Sequence, residues 1–347
     1  MRAIVAAVAL LFAAPNAPAS RPHAVRVRLL EKHQPQWLEL AGPRRLLVRA
    51  SGDRVSVEGE LRDEVRLPPA SWRVRGDGIR RTYEGAVELR ARGGALALWI
   101  DQPLEAYVAD VVAAESEPGT PAAALEALAI VARSYAVSAH GRHEGAALCD
   151  LAHCQVTAGR GSAAARAAAR ATSGLVLVLA DGGVAQPPFH ASCGGHTADP
   201  GEAFGGADRT GAAAVADPGC AAPWEAALPR AAADAAVAEA LGGPAQLSSL
   251  RFAHGAGGFV VSAVDPRSGR RTSGEAFARA LDRAAGWGTV RSPRFTLVPG
   301  DPVRLRGSGH GHGVGLCQEG AARRAASGAD VRAILAHYFP RARIAPL

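Results

Sequence analysis

Hydrophobic residues in the first hundred positions fall at every second place, as in Val25-x-Val27-x-Leu29, Val55-x-Val57 and Val87-x-Leu89, with Leu46-Leu47-Val48 between them. Period-two alternation puts one face of an extended chain toward a core and the other toward water, and Gly, Asp and Pro between the runs supply turns. Residues from Ala24 to about Ile100 therefore read as an antiparallel β region. The period then changes. Leu104, Tyr107, Val108 and Val111 are spaced for a helix beginning near Pro103 and ending at Glu115, where Ser116 to Gly119 interrupts it. Thr120-Pro121 starts a second helix toward His140 with Leu125, Leu128, Val131, Ala132 and Tyr135 on its apolar face. Further along, the pattern predicts a helix over 163–171, a strand over 175–179, a short helix around 231–241 and strands near 250–252 and 258–264. A helix over 273–284, a strand over 294–298 and a closing helix over 329–338 follow. The fold class is α+β: an antiparallel, β-rich domain with a few helices. The expected organisation is an N-terminal β-rich part at 21–100 and a catalytic domain at 101–347.

Residues 1–20 change the reading of where the chain acts. Arg2 gives a positive start, Ile4 to Ala14 an apolar run, and Ala17-Pro18-Ala19 a small-residue cleavage site, the pattern of a secretory signal peptide. No later segment offers about 18 uninterrupted apolar residues, so no membrane span is expected after cleavage. The expectation is an exported protein, periplasmic or associated with the cell wall. The formal charge of +7, with 39 Lys and Arg against 32 Asp and Glu, suits an anionic surface. The arginines are scattered singly, and no basic block is interleaved with aromatics, which argues against nucleic acid.

The most unusual segment runs from Gly307 to Ala321, where Gly309, Gly311, Gly313 and Gly315 alternate with His310, His312 and Val314 ahead of Cys317-Gln318. Glycine lacks the Cβ that holds a ligand away from the backbone, so the expectation is an extended Gly-His loop lying against a substrate. Its two imidazoles would point the same way.

The stretch Gly311-His312-Gly313-Val314-Gly315-Leu316-Cys317-Gln318-x-Gly320-Ala321 resembles the signature of the SpoIID/LytB family. A second block agrees, Leu104-Glu105-x-Tyr107-Val108 through Val111-Val112-Ala113-Ala114-Glu115, followed by Ala132-Arg133-Ser134-Tyr135-Ala136. Two more are Cys149-Asp150-x3-Cys154-Gln155-Val156 and Phe189-x-Ala191-Ser192-Cys193-Gly194-Gly195-x-Thr197, in family order. The resemblance implies a peptidoglycan lytic transglycosylase that cleaves MurNAc-GlcNAc bonds of glycan strands to 1,6-anhydro products. It implies no organic cofactor. The alternative is a non-catalytic module that binds the wall or activates an amidase partner.

Glu115, at a helix end among apolar neighbours, suits a carboxyl kept protonated near neutral pH, and the family's matching glutamate is taken as catalytic. One carboxylate suffices, because the substrate's own C6 hydroxyl serves as nucleophile. Candidate substrate-binding residues are Arg133, Ser192, Gly194, Gly195, Thr197, His310, His312 and Gln318. His143-x5-Cys149-x4-Cys154 offers ligands for Zn2+, one residue shorter than the closely similar segment through which some family members bind zinc. The fourth position is open to water, His153 or another loop. A disulfide between Cys149 and Cys154 is the competing reading, and Cys193 could pair with Cys220, leaving Cys317 odd. The chain departs from the family pattern at Ser116-Glu117, Leu128, Thr157 and Cys317-Gln318-Glu319, where family aromatics are lost and sugar stacking with them.

Overall fold

Alternation of the early chain is realised as one nine-stranded sheet, antiparallel throughout except at one edge. The computed structural model describes residues 24–347 apart from 140–142, 144 and 160; the expected signal peptide and His140 lie outside the described residues. Inward positions such as Val27, Leu38, Val48, Val55 and Leu89 are buried on one face, which is what period-two patterning encodes. The longest pair, Glu64–Gly76 with Ile79–Arg92, is interrupted by a register shift between Leu67 and Ala70 at Pro68-Pro69, where proline cannot donate to the ladder. At that edge, strand Ala24–Leu29 pairs antiparallel with Ala95–Pro103 and parallel with the two-residue strand Leu148–Cys149, so the cysteine-bearing segment is held by the sheet itself.

Strand Ala95–Pro103 runs directly into helix α1, Leu104–Glu115, with Pro103 at its N-cap. Helix α2, Ala122–Ser138, is buried on nearly every side, including Arg133 and Ser134, while Tyr135 keeps some exposure. This differs from the single apolar face expected. Its alanines let neighbours approach from several directions, and helix α3, Ala163–Ala171, packs against both α1 and α2. The closing strand Ala342–Pro346 pairs antiparallel with Leu175–Leu179.

A second hydrophobic core was not anticipated. Trp224, Leu228, Val237, Phe277, Leu281, Phe295 and Leu305 form it, apart from the core built on the sheet and the first helices. It is assembled from two three-stranded sheets and helices α5, Arg230–Leu241, and α6, Gly274–Ala285, α4 being the short Pro200–Phe204. Strands Pro223–Leu228 and Val303–Ser308, paired with each other, are its entry and exit. The insert thus begins shortly after the Ser192 loop and delivers the chain into the Gly-His segment. After that come α7, Gln318–Ala326, and α8, Val331–Tyr338. No helix among the described residues is long and apolar enough to cross a membrane.

Candidate active site

Glu115 is the last residue of α1. Ser116 leaves the helix with extended angles while its hydroxyl donates to the Val112 carbonyl at 2.6 Å. The Glu115 carboxylate is half-buried and accepts a hydrogen bond from the Val156 backbone N–H at 2.8 Å. Burial raises its pKa above the ordinary glutamate value, and the Val156 N–H offsets part of that rise by favouring the charged form. The Glu115 carbonyl is one of the acceptors a helix leaves unpaired at its C-terminus. Gln318 donates its side-chain amide to it at 3.0 Å. Two segments far apart in sequence, 154–156 and 317–318, therefore meet on this one residue.

The Gly-His segment is folded otherwise than expected. Gly309, Gly311, Gly313 and Gly315 all have positive φ, so the segment is not an extended strand. A Cβ at Gly309 would lie 2.8 Å from the Ser192 carbonyl, at Gly313 2.3 Å from the Phe259 ring and at Gly315 2.2 Å from the Pro188 carbonyl. The missing side chains serve close packing of the protein on itself. His310 is exposed, whereas His312 stacks edge-on against Phe204 and His190, with ring centroids 5.3 and 5.6 Å away. The two imidazoles do not share surroundings. His312 Nδ1 accepts from the Val314 N–H at 3.1 Å. Burial and the neighbouring His190 push its pKa down to about 3, so it is neutral at physiological pH.

Ser192 pairs with His310 through reciprocal backbone hydrogen bonds of 2.8 and 3.2 Å. Its hydroxyl donates to Glu319 at 2.6 Å. Gly194 has positive φ, and a Cβ there would sit 2.6 Å from the Gly309 nitrogen. Gly195, also at positive φ, accepts on its carbonyl from the Asp217 N–H at 2.9 Å. Arg294, from the insert, donates to the carbonyls of Gly194 and Gly257 and to Ser308. These residues form one braced unit, with Gln318 as its contact to Glu115.

Two of the substrate-binding candidates lie inside the fold. Arg133 is fully buried, its guanidinium paired with Glu105 through bonds of 2.9 and 2.5 Å and donating to the Ala169 and Leu175 carbonyls. It ties α1 and α2 to the end of α3 and has no surface to offer a ligand. Thr197 is likewise buried; its hydroxyl donates to the Ala213 carbonyl and accepts from the Val215 N–H.

A cleft of about 990 Å³ lined by Ser71, Arg73, Glu84, Asp110 and Arg166 does not include Glu115. Its most perturbed acid, Asp110, is pushed up to about 6 by burial. Both Asp110 oxygens are occupied, one by Gln102 and one by the Gly161 N–H, at 2.6 Å each. The cleft thus lacks the groups that converge on Glu115.

His143, Cys149, His153 and Cys154 bring one donor atom each to within 4.8 Å of one another. His143 Nε2 lies 3.0 Å from Cys154 Sγ and His153 Nε2 3.3 Å from Cys149 Sγ. Both cysteines are free thiols, and His153 brings the fourth donor atom to the cluster. A Cys₂His₂ set with sheet-anchored Cys149 fits a tetrahedral zinc ion. Cys193 and Cys220 are also unpaired.

Residues 93–179, about a quarter of the chain, match the model of the SpoIID family, described as stage II sporulation protein. That segment carries a SpoIID domain match. The matched segment holds Glu115 and the whole His143–Cys154 cluster, and it ends before the Ser192 and Gly-His loops. No curated protein matches the chain. Within the matched segment, sequence reasoning missed Val156 as the group that holds the Glu115 carboxylate, because a backbone N–H leaves no mark on residue identity.

Proposed function

We propose that this protein acts on the cell wall as a lytic transglycosylase of the SpoIID kind, with Glu115 as its single acid and base. The observation that carries the reading is the Glu115 carboxyl, held partly out of water by burial, aimed by Val156 and backed by Gln318. A carboxyl so raised donates its proton to the glycosidic oxygen as the bond to MurNAc C1 breaks and positive charge spreads onto the ring. The resulting carboxylate takes the proton from the MurNAc C6 hydroxyl, whose oxygen bonds to C1. The proton is returned to Glu115, no water is consumed, and the product carries a 1,6-anhydro end. Exposed His310 and partly accessible His312 and Gln318 are the groups that could meet sugar hydroxyls on the far side. Export through residues 1–20 would bring the enzyme to its substrate, and an amidase partner would supply strands stripped of peptides.

His143, Cys149, His153 and Cys154 would hold zinc, which when bound supplies a cross-link. With four protein donors converging, no coordination position is left for a reacting water, so the ion's role is structural. The fold of the 149–156 segment keeps the Val156 N–H on Glu115.

Mass spectrometry of fragments released from purified glycan strands tests the proposal. Wild type should yield 1,6-anhydro ends, and Glu115→Gln should lower their release by about 10²- to 10⁴-fold. Unchanged release from that variant, or hydrolysed reducing ends from wild type, would sink it.

A further inference from the structure

Three segments remote in sequence bring Cys193, Asp217, Cys220 and Cys317 together, with one donor atom from each inside a 4.8 Å cluster and all four residues buried. Cys220 Sγ lies 3.6 Å from Cys317 Sγ and 3.4 Å from Asp217 Oδ2, which is 3.9 Å from Cys193 Sγ. A tetrahedral ion with Zn–S near 2.3 Å and Zn–O near 2.1 Å separates its ligands by roughly 3.5–3.8 Å. The observed spacings of 3.4, 3.6 and 3.9 Å bracket those edges. The 3.6 Å between Cys220 and Cys317 sulfurs exceeds by far the roughly 2.05 Å of a sulfur–sulfur bond.

The surroundings are those of a thiolate site. Cys317 Sγ accepts two backbone N–H groups, from Cys193 at 3.2 Å and Gly320 at 3.3 Å. Asp217 is oriented from outside the cluster: Tyr338 donates its hydroxyl to Oδ2 at 2.5 Å and Arg324 donates to Oδ1 at 3.3 Å. Such outer partners fix a ligating carboxylate and leave it a lone pair for the ion. Gly320 permits the arrangement, since a Cβ there would stand 1.9 Å from Asp217 Oδ2. The geometry points to a second metal site, a buried structural zinc held by Cys193, Asp217, Cys220 and Cys317. Soft thiolates select zinc over hard cations, and four protein donors close the site. The ion joins the Ser192 loop, the 217–220 turn and the start of α7, next to Gln318. The inference stands independently of the catalytic reading.

The test uses the full chain purified without reductant, carrying Cys149→Ser and Cys154→Ser to remove the first cluster. Elemental analysis should find about one zinc per chain, falling about tenfold or more when Cys220→Ser is added. Replacement of zinc by cobalt in the first of these proteins should give the intense visible bands of a tetrahedral, thiolate-rich site. That spectrum answers the question even where Cys220→Ser fails to fold. Two results overturn the proposal. One is a metal-free protein whose mass is short by two hydrogens, meaning a disulfide. The other is a metal-free protein whose three thiols all react with iodoacetamide in the folded state.

Discussion

Two cysteine clusters flank Glu115, and they differ in how they are made. His143, Cys149, His153 and Cys154 come from one stretch of chain, and His153 is exposed. Cys193, Asp217, Cys220 and Cys317 come from three segments and are sealed from solvent. Each nonetheless ends within two residues of a group that grips Glu115: Cys154 precedes Val156, which holds the carboxylate, and Cys317 precedes Gln318, which holds the carbonyl. The local cluster sits beside the support of the Glu115 carboxylate and the remote one beside the support of its carbonyl. The lesson is that one residue's side chain and backbone can be placed by independent supports.

The sharpest way to separate these supports from what they support is Glu115→Gln itself. It should remove activity by orders of magnitude and leave the metal content of both clusters unchanged by elemental analysis; loss of metal would show that the clusters depend on the acid. Next in size is loss of a ligand. Cys154→Ser and Cys317→Ser should each destabilise the chain by more than about 2 kcal/mol, read from urea unfolding, if each site is structural. Equal insensitivity of both would break the comparison. Chelation distinguishes the clusters by access. A chelator should strip the His153-containing site while the protein stays folded, and release the buried site's ion only on unfolding, as followed by a zinc-responsive dye. Gln318→Ala is smaller, because it deletes one hydrogen bond worth about 0.5–1.5 kcal/mol, and it should lower kcat more than it raises KM.

The smallest effect is on stability against pH. Glu115 has a folded pKa above its unfolded value, so its protonated form favours folding fully below the unfolded value, and that contribution is lost as pH rises through the folded one. Glu115→Gln should therefore be more stable than wild type at neutral pH, with the difference vanishing below about pH 4. A difference that instead grows in acid would mean that the carboxylate is held charged. For activity the sign is the same: a general acid works below its pKa, so kcat should fall on the alkaline side.

Much of the first half of the chain was legible because its patterns are local. Alternation from Val25 to Leu89 set the sheet, and the spacing of Leu104, Tyr107, Val108 and Val111 set α1 and its end at Glu115. The helix over Ala163–Ala171 and the strand over Leu175–Leu179 also lie where the pattern put them. For Arg133, residue type shows the charge and hides its burial. Its partner Glu105 lies on another helix, and only packing brings them together. Glycines in the 309–315 segment were assigned to a substrate; their positive φ and the atoms a Cβ would strike show that they serve contacts with Ser192, Phe259 and Pro188. Strands Pro223–Leu228 and Val303–Ser308 escaped notice because each finds its partner some eighty residues away.

Sequence alone singled out the candidate groups: the carboxyl at a helix end, the His and Cys donors spaced through 143–154 and the glycine-histidine run. It did so because helix period, strand period and short ligand spacings act over a few residues. The tertiary structure decided which of them meet. It placed Gln318 on the end of α1, turned the glycines inward and closed three cysteines around Asp217. Contacts of that kind arise when distant segments exclude water together, and that depends on the whole chain's packing rather than on any stretch of it.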